Sequence, residues 1–174
     1  IMPSLVGSEM CIRDSNEGEL GEIAIKTPAS MVSYWKNSEA TSECMNDSGW
    51  FRTGDLGKFE GPFLYIVDRV KDMVIRGGEN IACPEVESAI YEHENVLEAC
   101  VFGIPDTRLG EIVSCCIYLK PGSELKEEEL RDFLSDKLAP FKIPAVYNFS
   151  DNKIPRLASE KFDKPALRKI YDKQ

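Results

Sequence analysis

Four short stretches hold the side chains best suited to chemistry. Asp55 stands between two glycines in Thr53-Gly54-Asp55-Leu56-Gly57. A carboxylate there is an acceptor-only group with two oxygens, although an Asp flanked by glycines is by itself an ordinary turn residue. Asp68-Arg69-Val70-Lys71-Asp72 puts four charges into five positions, which in isolation describes a solvated turn. Gly77-Gly78 allows positive φ or close approach of the backbone to another group. Lys161 ends Ile154-Pro155-Arg156-Leu157-Ala158-Ser159-Glu160-Lys161, and a lysine in a charged stretch is most simply an exposed one. The six cysteines have no CxxC spacing and His93 is the single histidine, so neither a zinc site nor a disulfide framework is expected.

The elements that must position these groups are legible from pattern. Glu19 to Lys26 reads as a strand with Leu20, Ile23 and Ile25 on a buried face, and Tyr34 and Trp35 beyond it read as packing residues. Phe63 to Val67 is a β-rich run that a buried strand cannot extend through the charged knot. Met73 to Ile75 resumes an apolar run, the glycines turn a hairpin, and Pro84 with Glu85 and Glu87 suits the first turn of a helix. His93, near the end of that helix, is expected on the surface rather than in catalysis. Ala99 to Phe102 and Ile112 to Leu119 are the clearest strands, the second apolar on both faces and so central, with a loop over 103–111 between them. Cys115 and Cys116 read as small core hydrophobes. Glu127 to Leu138 has the apolar spacing of an amphipathic helix, Val146 to Phe149 suits a short strand, and Pro165 to Tyr171 a last helix.

In order along the chain, GELGEIAIKTPASMVSYW, WFRTGDLG, DRVKDMVIRGGENI, GIPDTRLGE, LAPFKIP and PRLASEKFDK resemble the C-terminal portion of the adenylate-forming enzymes. That superfamily comprises acyl-CoA synthetases, nonribosomal peptide adenylation domains and luciferases. The resemblance implies an α+β protein: the β-rich end of a large N-terminal domain (16–67), a hinge (68–72), then a small C-terminal α+β domain (73–174) with a three-stranded sheet, a β-hairpin and flanking helices. It implies that Asp55, with Thr53 beside it, accepts from the ribose hydroxyls of ATP, and that Arg69 also contacts the ribose. Lys71 takes the hinge position. Gly77 and Gly78 would face the pantetheine of CoA, with Arg76 and Asn80 as weaker CoA contacts. Lys161 would bridge the substrate carboxylate and the α-phosphate during adenylation. One departure is that Glu160 occupies the family's glycine position.

The implied function is an ATP-dependent carboxylic acid–CoA ligase for a fatty or related acyl acid, with ATP, CoA and Mg as cofactors and the Mg ligands in an N-terminal domain outside this chain. The rivals are an adenylation module that loads a carrier protein and a non-catalytic interaction module. A net charge of −9 argues against a nucleic-acid surface, and no apolar run is long enough to span a bilayer. A reducing, cytoplasmic setting is expected. Leu5 to Ser15 back-translates to a transposase sequencing adapter, so residues 1–15 are expected to be an assembly artefact and the chain a truncated fragment that is inactive alone.

Overall fold

The computed structural model describes residues 18–171, which form two compact units dividing between Lys71 and Asp72. The segment expected to be an artefact, 1–15, lies outside the described residues.

The first unit is an antiparallel sheet in the order β1-β2-β3, with β1 over Gly21–Ile25, β2 over Phe51–Glu60 and β3 over Phe63–Arg69. Between β1 and β2 lies a short helix, α1 (Ser38–Cys44), whose N-cap Asn37 accepts from the Ala40 N–H through its side chain. Gly57 is in β2 because nothing larger fits: a Cβ there would stand 2.9 Å from the Tyr65 carbonyl oxygen and 3.0 Å from Ile23 Cδ1. Three expectations are corrected here. Of Leu20, Ile23 and Ile25, only Ile23 is buried. Tyr34 and Trp35 are 45% and 86% exposed among the described residues, on a stretch, 28–37, of turns and bends. The β3 strand does run into the charged knot, through Asp68 and Arg69. It can do so because it is an edge strand with an open face: Phe63, Tyr65 and Ile66 are exposed, whereas Asp68 is buried and accepts the Arg69 N–H.

The second unit is one five-stranded sheet. The hairpin of β4 (Val74–Arg76) and β5 (Glu79–Ile81) joins the long ribbon of β6 (Val96–Asp106) and β7 (Gly110–Leu119) through the Arg76–Gly110 pair. A last strand, β8 (Val146–Ser150), runs parallel to β7. As its two-sided apolar pattern requires, β7 is central, and alternation sends its side chains into separate cores. Val113, Cys115 and Ile117 pack under α2 (Cys83–Tyr91) and α3 (Glu127–Ser135), while Cys116 joins Phe102, Ile154 and Leu167 of α4 (Lys164–Tyr171). The 103–111 stretch is not a loop but mostly paired strand, since β6 and β7 stay in register from Gly103–Val113 to Asp106–Gly110. His93 is a further correction: it is buried, edge-on to Phe133 at 4.9 Å, with Nδ1 accepting the Asn95 N–H, because α3 packs against the end of α2.

Replacing Gly57 with Ala forces Cβ against a backbone oxygen and is expected to cost about 1 to 3 kcal/mol. A drop in the denaturation midpoint of the first unit, with the second unit's transition unchanged, is the measurement that checks it.

Candidate functional site

The Thr53-Gly54-Asp55 segment is not a turn between elements but a bulge within β2. Register passes from Ala24–Arg52 to Glu22–Leu56, so three residues of β2 face one of β1. Gly54 makes this possible with φ of +75°. The Thr53 hydroxyl donates to the Ile23 carbonyl at 2.9 Å and accepts the Asp55 N–H at 3.1 Å, fixing where the aspartate leaves the strand. Asp55 lies directly across from Arg69 of β3, and Arg69 Nε donates to Asp55 Oδ1 at 3.1 Å. Thus two residues fourteen positions apart form one partly exposed carboxylate–guanidinium pair. Among the described residues Asp55 Oδ2 takes no hydrogen bond, so the carboxylate keeps the acceptor capacity that a diol needs.

Lys71 is the last residue of the first unit and lies between two anchored backbone positions. Val70 N–H donates to the Gly54 carbonyl at 2.9 Å within the first unit. In the second unit, Cys83 Sγ donates to the Asp72 carbonyl at 2.9 Å, and the Asp72 carboxylate lies 4.0 Å from Arg168.

Gly77 and Gly78 form the hairpin turn, with φ of +60° and +92°. A Cβ on Gly77 would reach Leu109 at 3.3 Å, whereas Gly78 faces open space. The hairpin is docked on the β6–β7 turn by Gly77 N–H to the Leu109 carbonyl, 2.8 Å, and by Ile75 N–H to Glu111 Oε2, 2.9 Å. Gly103 leaves the space for that carboxylate, since its own Cβ would sit 3.0 Å from it. Asp106 closes the turn by accepting the Arg108 and Leu109 N–H groups.

Lys161 is exposed and its side chain makes no ion pair among the described residues. It follows a tight turn in which Glu160 N–H donates to the Leu157 carbonyl at 2.9 Å. Glu160 has φ of +63°, the left-handed region that costs a residue with a side chain about 1 to 2 kcal/mol. Burial pushes the Cys100, Cys115 and Cys116 thiols up, which leaves them as core residues rather than nucleophiles. No group of three or more metal-ligating side chains occurs among the described residues.

Residues 85–161 match the model of the AMP-binding enzyme C-terminal domain. A 2-succinylbenzoate–CoA ligase of Bacillus licheniformis is 45% identical over 145 residues, covering 83% of this chain and 30% of that protein. A long-chain-fatty-acid–CoA ligase of Bacillus subtilis is 45% identical over 141 residues, 80% of this chain and 25% of that protein. The solved o-succinylbenzoate CoA synthetase of Bacillus subtilis, in complex with its acyl-adenylate intermediate, superposes with a TM-score of 0.82 at 37% identity, over 92% of this chain and 34% of that one. The chain belongs to the adenylate-forming enzymes. It matches the C-terminal portion of this superfamily and spans about a third or less of the length of these relatives.

Sequence reasoning missed β2, α1, and the contacts of three side chains: Glu98 accepts the Ile154 N–H and pairs with Arg156, and Glu111 accepts the Ile75 N–H. A signal for Glu98 existed, since it is the one charge in the apolar run Val96 to Phe102.

Glu160→Gly is expected to raise stability by about 0.5 to 1 kcal/mol, the relieved strain less the extra unfolded-chain entropy of glycine, read from the denaturant midpoint. The two backbone donors from Leu109 and Arg108 hold the Asp106 carboxyl below its usual value. Its stabilising contribution is therefore fully present above the usual carboxylate pKa and is lost as pH falls through the lowered one. An NMR titration is expected to show the Leu109 amide shift following that depressed midpoint.

Proposed function

We propose that this chain is the C-terminal part of an ATP-dependent carboxylic acid–CoA ligase acting on a fatty or related acyl acid. In the first half-reaction the acid's carboxylate oxygen attacks the α-phosphorus of ATP, forming an acyl-adenylate and releasing pyrophosphate. In the second, the CoA sulfur attacks the acyl carbon, AMP leaves, and the thiol proton is released. The observation that carries this reading is the Asp55–Arg69 pair, set across two strands at a glycine bulge. A carboxylate with an open acceptor oxygen beside a guanidinium suits the two donor hydroxyls of a ribose.

Lys161 is proposed to bridge the substrate carboxylate and the α-phosphate, where negative charge converges as the transition state forms. Its exposure, with no ion pair among the described residues, supports a cation available to a ligand. Lys71 is proposed as the hinge between the two half-reactions, a reading supported by the bonds that tie Val70 and Asp72 into separate units. Gly77 and Gly78 are proposed to line the pantetheine path, Gly78 having open space where a Cβ would stand. The phosphate loop, the Mg ligands and the acyl pocket are assigned to a larger N-terminal domain, in keeping with the 30% and 25% of the two ligases that this chain spans. On this reading the chain alone is inactive. The free thiols among the described residues support a reducing, cytoplasmic setting.

In the intact ligase, Lys161→Ala is expected to lower adenylate formation by about 10²-fold or more while thioester formation from a supplied acyl-adenylate is retained. Asp55→Ala is expected to raise the KM for ATP. Equal loss of both half-reactions in the lysine variant, measured by pyrophosphate release and by CoA consumption, counts against its assigned role.

A further inference from the structure

The turn before Lys161 is held in a strained conformation by something other than packing. Leu157, Ala158, Ser159 and Glu160 are all exposed, so no buried side chain of the turn itself fixes its shape. A strained backbone persists only where its surroundings over-determine it. Here the surroundings converge on one guanidinium. Arg156 Nη1 donates to the Glu160 carbonyl, the oxygen of the strained residue, at 2.7 Å. Its Nη2 donates to Glu98 Oε1 at 3.0 Å, and its Cζ lies 4.3 Å from the centroid of the Phe162 ring. Arg156 and Phe162 also form an isolated antiparallel bridge, and Leu157 N–H donates to the Lys161 carbonyl at 2.8 Å.

Glu98 connects this loop to the sheet. It belongs to β6, opposite Tyr118, and its side chain is 13% exposed. While Oε1 takes Arg156, Oε2 accepts the N–H of buried Ile154 at 2.9 Å. One carboxylate therefore fastens both the entry to the loop and the guanidinium that spans it. A planar fork with several fixed donors can hold a carbonyl and a carboxylate at once and lie flat on a ring, which an ammonium cannot do.

We propose that Glu98 and Arg156 are positioning residues that fix the Lys161 turn on the edge of the sheet, the catalytic part of this inference resting on the ligase reading above. Neither touches the reacting atoms. Their effect is on where the lysine's backbone starts, and a displacement of about 1 Å in a positioned group can cost about 10²-fold in rate.

Two measurements test it. In this chain, Arg156→Met keeps the apolar stem against Phe162 and removes both hydrogen bonds. It is expected to speed amide exchange at Leu157 and Glu160 by about 10-fold or more, with Val101 and Cys115 in the sheet unchanged. Glu98→Gln, which keeps the shape and loses the charge, is expected to give a smaller acceleration at the same two amides. Unchanged exchange at the turn, or acceleration spread equally through the sheet, overturns the clamp. In the intact ligase, Arg156→Met is expected to slow adenylate formation by about 10²-fold while sparing thioester formation from supplied adenylate. Wild-type adenylation in that variant, or equal loss in both halves, overturns the positioning role. If the unsubstituted protein forms no adenylate, the ligase reading fails, and the exchange result still decides the clamp.

Discussion

Every backbone N–H that the sheet cannot pair must find another acceptor, and in the second unit three glutamates meet that demand. Glu87 of α2 accepts the Val101 N–H on the outer edge of β6 and also pairs with Lys164. Glu98 accepts the Ile154 N–H, and Glu111 accepts the Ile75 N–H. A neutral acceptor could satisfy any one of these donors. A carboxylate does so with a charge-assisted bond, and Glu98 uses its second oxygen to tie Arg156 to the β6–β7 ribbon, whereas Glu87 holds the Val101 N–H and Lys164 on the same Oε1. The helix α4, the loop before Lys161 and the glycine hairpin are all attached in this way or by the bonds beside it.

The arrangement has a functional consequence. The residues of this unit proposed to contact substrates, Gly77, Gly78 and Lys161, sit on or beside turns. Turns gain position only from the rigid element beneath them. The two-sided core under β6 and β7 supplies the rigidity, and the carboxylates transmit it to the turn tips. The glycine turn at Gly77 is fixed by the Leu109 carbonyl, and the turn before Lys161 by a guanidinium that the sheet itself holds.

The first unit solves the same problem differently. Asp55 is placed by a bulge rather than by a loop, so the aspartate is displaced from the strand line yet remains within hydrogen-bonded sheet. Thr53 and Gly54 each have a definite part in this, the hydroxyl as a bridge between strands and the glycine as the residue able to take positive φ. The pairing with Arg69 depends on β3 continuing into a charged segment, which an open-faced edge strand tolerates and a buried one does not.

Local pattern determined the helices near 84–90 and 165–171, the helix expected over 127–138, which ends at Ser135, the central position of β7 and the glycine hairpin. These depend on spacing, capping and β-branched content, which are properties of neighbours along the chain. Tertiary structure decided the rest. His93 is buried because α3 covers the end of α2, and Trp35 is exposed among the described residues; nothing adjacent in sequence says either. The bulge at Asp55 follows from register between strands, and the Glu98–Arg156 clamp joins residues 58 positions apart. Periodicity reports which face a residue occupies, but what stands opposite that face is set only when distant segments meet.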